Sequence, residues 1–326
     1  MSEQSQFELN DPPTDGITNV CFSPDSKNLL ASSWDSSLRL YDVESNRLVQ
    51  TFNNKQPLLD CCFGEGTNAF ASGLDCKIKM YDLATQAEKE VGTHEEAVKC
   101  IRWSPETRSV YSASWDKTLA VWDPRSSIQQ LKLDLPHKAF SMDLKNNTLA
   151  IAMADRHIFI YDIRNMSTPY QERESSLRYM LRAIQLMPNG QGFACSSIEG
   201  RVAFEYFDLT PEVQQKKYNF KSHRAIVNDT EVVYPVNALA FHPGYGTFAT
   251  GGSDCVVNIW DGAHRKRVRH FPNYPEEISS LAFSHDGNML AIASSYVYDE
   301  GERDHARDTI FIRYMEDADV KPKVVV

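Results

Sequence analysis

The chain has 326 residues, with 34 lysines and arginines against 44 aspartates and glutamates, for a formal net charge of −10. That acidity disfavours general binding to a nucleic-acid backbone, and no apolar run approaches the roughly 18 residues of a membrane-spanning helix. Seven cysteines, an odd number scattered through strand-like segments, fit reduced packed thiols better than a disulfide framework.

The opening Met1-Ser2-Glu3-Gln4 has no basic region followed by an apolar one, so no secretory signal is expected and the protein reads as soluble and intracellular. Phe7-Glu8-Leu9 is the first strand-like segment. It lies in a stretch of about residues 5–12 that would add the outer strand of the last repeat.

From there one phrase recurs six times: Ser33-Trp34-Asp35 to Tyr41-Asp42, Gly73-Leu74-Asp75 to Tyr81-Asp82, Ser114-Trp115-Asp116 to Trp122-Asp123, and later copies around Asp155/Asp162, Glu199/Tyr206 and Asp254/Asp261. In five copies a turn Asp stands seven residues before a second Asp that follows an aromatic; Glu199 to Tyr206 is degenerate. The first four turn positions are roughly 40 residues apart, the period of a WD40 blade of four short strands. Within a copy an apolar run closes on an aromatic before a turn, as in Val20-Cys21-Phe22-Ser23-Pro24 and Ile101-Arg102-Trp103-Ser104-Pro105. A strand of small residues follows, such as Leu30-Ala31-Ser32-Ser33, suited to a place squeezed between neighbouring blades. Leu38 and Leu40, like Leu119 and Val121, alternate with Arg39 and Ala120 at the two-residue period of a strand.

A seventh copy without the Asp signature runs through Ile278 to Phe283, Leu290 to Ser295 and Ile310-Phe311-Ile312. The expectation is an all-β chain, one seven-bladed WD40 β-propeller over residues 1–326 with four antiparallel strands per blade. The ring must close, because an open end would leave a strand edge unpaired.

His94, Ser114, Asp116 and Trp122 contain the groups of a catalytic triad. Their spacing instead matches the buried hydrogen-bond network that stabilises a WD40 blade, and they are assigned to it. Cys61-Cys62 is not a metal pair, because neighbouring strand residues face opposite sides of the sheet. The remaining histidines show no spacing for a metal site, and neither a phosphate-cradling glycine loop nor a nucleophile elbow is present. No enzyme, cofactor or metal is expected.

The repeats provide a control for function, since a residue that the fold demands recurs in every blade. The position before each turn acid holds Trp34, Leu74, Trp115, Ala154, Ile198 and Ser253, so the fold does not require tryptophan there. Two such rings, on turns beside the central channel, either pack over neighbouring blades or anchor a partner. In the fifth copy Arg201 stands where others have Ser37, Thr118 or Val256; it is either a solvated surface group or a carboxylate or phosphate clamp. Lys216-Lys217-Tyr218-Asn219-Phe220-Lys221-Ser222-His223-Arg224 concentrates basic residues in an acidic chain and reads as an anion pocket. His264-Arg265-Lys266-Arg267 directly follows Trp260-Asp261 and reads as a solvated hairpin on the opposite face. Asp299-Glu300-Gly301-Glu302-Arg303-Asp304-His305 is polar enough to be a mobile loop.

Ser32-Ser33-Trp34-Asp35, Ser196-Ser197-Ile198-Glu199-Gly200-Arg201-Val202-Ala203, Phe220-Lys221-Ser222-His223-Arg224, Tyr234-Pro235-Val236-Asn237-Ala238 and Ala291-Ile292-Ala293-Ser294-Ser295-Tyr296 resemble the WD40 protein of the Bub family, from the mitotic spindle assembly checkpoint. The likeness runs from Phe7-Glu8-Leu9-Asn10 to Asp317-Ala318. It implies a non-catalytic adaptor in the nucleus and at kinetochores, also cytoplasmic. Its implied partners are the GLEBS motif of a checkpoint kinase and of its kinase-like relative, and phosphorylated Met-Glu-Leu-Thr repeats of the kinetochore scaffold. Carried over by position, Trp34, Trp115, Leu74 and Ile198 would receive the GLEBS segment, Arg201 would pair with its acids, and Lys216, Lys217, Lys221 and Arg224 would lie near the phosphate. A messenger-RNA export propeller that binds a GLEBS segment in a nucleoporin shares the Ile-Glu-Gly-Arg-Val turn and the Phe-Lys-x-His-Arg run; Trp34 to Asp42 looks closer to the checkpoint branch, and the acidity weighs against RNA.

Overall fold

In blades one to three a turn Asp organises the bend that returns the chain, accepting the N–H two residues on. In blade one, strands Ile17–Phe22, Asn28–Ser33, Ser37–Asp42 and Arg47–Asn53 follow one another antiparallel. The turn between the second and third strands closes when Asp35 accepts the Ser37 N–H at 2.8 Å, and Ser36 takes a left-handed φ of 68°. Asp116 and Lys117 repeat this in blade three (2.9 Å, φ 64°), and in blade five the left-handed position is Gly200.

The computed structural model describes residues 5–126 and 128–322. It contains seven four-stranded antiparallel sheets and one two-stranded hairpin, Arg224–Val227 with Thr230–Val233. Each blade's first strand packs beside the first strands of its two neighbours, and Ile17–Phe22 packs beside Ile278–Phe283 of blade seven, closing the ring around a channel. Blade seven combines Ile278–Phe283, Met289–Ser294 and Thr309–Tyr314 with the N-terminal Gln6–Glu8, Phe7 standing opposite Ile312. The Leu9 N–H extends this pairing to the Ile310 carbonyl at 2.8 Å.

The core is divided into seven apolar clusters, each straddling one pair of adjacent blades. Small residues let the blades approach: a Cβ on Gly251 would stand 2.3 Å from the Ile278 side chain of the next blade.

The blade-three network forms with Ser112 added at its centre, while Ser114 Oγ accepts the Asp116 N–H at 3.1 Å at its edge. His94 Nδ1 lies 3.0 Å from Asp116 and its Nε2 lies 2.8 Å from Ser112 Oγ, which also accepts the Trp122 indole N–H at 2.8 Å. Ser112, not Ser114, is therefore the central hydroxyl. Ser114 sits at the end of its strand and donates to the Ala97 carbonyl at 2.9 Å, because its position faces the loop entering the blade. Burial pushes the His94 imidazole below its usual pKa despite the opposing pull of Asp116. The group is buried and fully bonded, which suits scaffold and not catalysis. Blade six holds a second copy, His223 with Asp254 (2.7 Å), Thr250 (2.7 Å) and Trp260 through Thr250 (3.0 Å). All seven cysteines are free.

Candidate partner-binding site

One face of the ring carries the turns between second and third strands together with the loops that enter each first strand. At that end every first strand departs from regular pairing at its second residue: Thr18, Leu59, Lys99, Phe140, Arg182, Asn237 and Ser279. A bulge re-aims the side chain of the unpaired residue. All seven line a cavity of about 310 Å³ at the channel mouth, together with Trp34, Trp115, Met180 and Tyr296.

The two tryptophans thus share one pocket. Trp34 is 44% exposed, its ring resting over Gly16, where a Cβ would stand 3.1 Å from the ring. Trp115 is half-buried, with its indole nitrogen buried and lacking a hydrogen-bond acceptor. Leu74 and Ile198, at the equivalent turn positions, are half-buried and lie outside the pocket lining.

Two pocket residues escaped sequence reasoning. Lys99 and Arg182 form no ion pair among the described residues, and the Arg182 Nε is buried without a partner. Desolvation lowers the Arg182 pKa, with Asp299 and Glu277 opposing from beyond ion-pair distance. Burial, reinforced by Asp299, raises the Glu277 carboxyl to about 8 against the Val297 N–H that it accepts. The pocket is therefore an aromatic cup that holds two cations without an ion pair among the described residues. The Asp299 to His305 loop beside it is tied down, Arg303 bonding Glu276 at 3.0 Å and stacking 4.0 Å over Tyr296.

A second cationic group lies at blade five. Arg201 stands directly across the sheet from Lys221, and its Nε is 2.5 Å from Glu199 but misaligned for a hydrogen bond. Arg224 donates to the Glu199 carbonyl at 2.9 Å, and the hairpin residue Glu231 spans Arg224 and Lys221, each at 3.3 Å. Glu199 Oε2, Ser222 Oγ and Arg224 Nε are buried there without hydrogen-bond partners. Arg201 belongs to this group and not to the tryptophan pocket, because it starts a third strand, away from the channel. The Ile198 N–H, bonded to the pocket residue Met180 at 3.1 Å, links the two regions.

Lys216 and Lys217 do not join it. Both are exposed before strand Tyr218–Lys221, at the end of that strand opposite to Lys221, and the Lys216 carbonyl meets Arg265 of the neighbouring blade at 3.2 Å. Four residues of strand separate Lys217 from Lys221 by about 13 Å. The His264 to Arg267 hairpin lies on that opposite face.

The ring, its Asp turns and its His-Trp networks define a WD40-repeat β-propeller. The WD domain, G-beta repeat family model matches residues 4–42, 86–123 and 215–261, and the solved structure of U3-55K superposes with a TM-score of 0.84 over 95% of this chain and 98% of that one, at 16% identity, a likeness of fold alone. Mitotic checkpoint protein BUB3.1 of Arabidopsis thaliana is 47% identical over 97% of this chain and 94% of its own length. Mitotic checkpoint protein bub3 of Dictyostelium discoideum is 47% identical over 94% of each. The mRNA export factor GLE2 of Chaetomium thermophilum is more distant, 33% identical over 91% of this chain and 86% of its own. The chain belongs to the BUB3 family of mitotic checkpoint proteins.

Proposed function

We propose that this propeller is a non-catalytic adaptor of the spindle assembly checkpoint, acting in the nucleus and at kinetochores, whose channel-mouth face binds two kinds of peptide. A GLEBS segment of a checkpoint kinase, or of its kinase-like relative, lies across the tryptophan pocket, its apolar side chains against Trp34 and Trp115 and its acids toward Arg182 and Lys99. A phosphorylated Met-Glu-Leu-Thr repeat of the kinetochore scaffold docks at Arg201, Lys221 and Arg224, where the phosphate displaces the exposed Glu231.

The observation that carries this reading is the half-buried Arg182, its Nε buried without a hydrogen-bond partner, in the pocket that the two partly bare indoles line. A desolvated guanidinium without a counterion is costly, and a carboxylate arriving on an apolar peptide satisfies it with a charge-assisted, bidentate pair. The orphaned Arg224 Nε and Ser222 Oγ, both able to donate, support an anionic ligand at the second group. Titration of a fluorescent GLEBS peptide tests the first half: Arg182→Met and Trp34→Ala must each weaken it, and wild-type affinity in both overturns the site.

An export adaptor is the second reading, favoured by the 33% identity to the mRNA export factor and opposed by the net charge of −10. Proteins copurifying from mitotic and interphase cells separate the two: kinetochore proteins support the checkpoint reading, and nucleoporins with RNA support the other.

A further inference from the structure

Blade four breaks a rule that blades one, two, three and six keep. In blades one, two, three and six the turn Asp is held by a group from the loop that enters the blade: Thr14 on Asp35 (3.0 Å), Asn54 on Asp75 (3.1 Å), His94 on Asp116 (3.0 Å) and His223 on Asp254 (2.7 Å). In blade four the residue in the place of His94 is Leu135, whose N–H bonds the Lys117 carbonyl as that of His94 bonds Cys76. Leu135 packs into the core and offers Asp155 nothing. The Asp155 side chain is accordingly 71% exposed, against 4% for Asp116.

Two histidines flank the released carboxylate. His137 lies two residues beyond Leu135 in the entering loop, and His157 lies two beyond Asp155 at the start of strand His157–Asp162. His137 Nε2 is 3.9 Å from Asp155 Oδ2, the two imidazole centroids are 4.8 Å apart, and one donor atom from each of the three residues falls within 4.8 Å of the others. The His157 Nδ1 lies 3.1 Å from the Asp155 carbonyl; a proton donated there leaves Nε2 with its lone pair, the arrangement that orients metal-binding imidazoles. Asp155 and Arg156 both take left-handed φ, 59° and 65°, where the other blades use one such residue at this turn. The nearby cations are engaged elsewhere, Arg156 with Glu174 and Lys138 with Glu96.

We propose that His137, Asp155 and His157 form a binding site for a transition-metal dication of the Zn²⁺ class on the channel-mouth face of blade four. Two imidazoles and one carboxylate are the donors such ions take, and three protein ligands leave a fourth position for water. Ligands about 2.0–2.2 Å from a tetrahedral ion stand roughly 3.3 Å apart, so the donors close by an ångström or so. The two loops that carry them are exposed and can supply that motion. The bound ion then clips the entering loop to the turn, replacing the hydrogen bond that Leu135 cannot make.

The test is calorimetric titration of Zn²⁺ into the full chain under reducing conditions, comparing wild type, the His137→Ala/His157→Ala double variant and Asp155→Asn. Asn tolerates the left-handed backbone at the exposed position 155, and because His137 and His157 are half-buried the metal-free melting temperature of each variant is measured beside the titration. One binding event is expected in the wild type, absent from the double variant and weakened about tenfold or more in Asp155→Asn. In the wild type, and not in the double variant, Zn²⁺ must also shift the imidazole nitrogen resonances of two histidines. Identical isotherms for wild type and double variant, showing that cysteines alone take the metal, overturn the site, as does Zn²⁺ binding that leaves every imidazole resonance in place.

Discussion

Replacing Trp34 by Ala removes the most accessible wall of the tryptophan pocket while leaving the backbone that shapes it. A tryptophan side chain presents up to about 250 Å², so the 44% left bare at Trp34 amounts to roughly 110 Å². At about 25 cal/mol per Å², covering it stabilises a complex by roughly 2–3 kcal/mol, and its loss weakens GLEBS binding about 30- to 150-fold. The fold should hardly notice: the Trp34 N–H keeps its 2.8 Å bond to the Gly16 carbonyl, and an exposed substitution shifts stability by about 0.5 kcal/mol or less. Fluorescence anisotropy with a labelled GLEBS peptide reads the affinity, and a thermal melt reads the fold. A change of less than about twofold in affinity, with an intact melt, would return the ring to packing over its neighbouring blade.

Trp115→Ala should cost roughly 2 kcal/mol in the same assay, the usual size of a hot spot. Arg182→Met should weaken GLEBS binding by roughly 2–5 kcal/mol without lowering the melting temperature, since it removes a half-buried charge that makes no ion pair among the described residues; a destabilised fold with normal binding would assign that arginine to the scaffold. The Glu277 carboxyl binds its proton more tightly folded, at about 8, than unfolded, near 4.5, so the folded state holds the extra proton between those values and stability falls as pH rises through them. Glu277→Gln should flatten that decline in melting temperature between pH 5 and 8, and a wild-type slope in the variant would place the proton elsewhere. Ser112→Ala strands the Trp122 indole N–H and one His94 nitrogen and should cost roughly 2–4 kcal/mol in urea, against about 1 for Ser114→Ala; the reverse order would restore Ser114 to the centre of the network.

The fold was legible because its signal repeats: the Asp35, Asp75 and Asp116 turns each fix a bend, and the small residues of second strands mark contact between blades. Trp34 and Trp115 were legible for the opposite reason, as departures from the repeat. Arg182 was not, because an arginine inside a strand pattern reads as a solvent-facing position until the bulge that turns it into the channel is known. Aligning the second residues of the seven inner strands, from Thr18 to Ser279, supplies that signal. The basic run from Lys216 to Arg224 misled through contiguity, since a strand carries its two ends to opposite faces. His223 escaped notice as a network residue because a hairpin separates it from its own blade's inner strand. His137, Asp155 and His157 come from two loops 18 and 20 residues apart, a spacing that matches no metal motif and that the blade geometry closes.

The most direct measurement is titration of a fluorescent phosphorylated Met-Glu-Leu-Thr peptide, and of its unphosphorylated twin, into the propeller carrying a bound GLEBS peptide. A phosphate reader built on Arg201, Lys221 and Arg224 gives at least about tenfold tighter binding of the phosphorylated form, a gap of about 1.4 kcal/mol, and loses that preference in Lys221→Ala/Arg224→Ala. Equal affinity for the two peptides would contradict it.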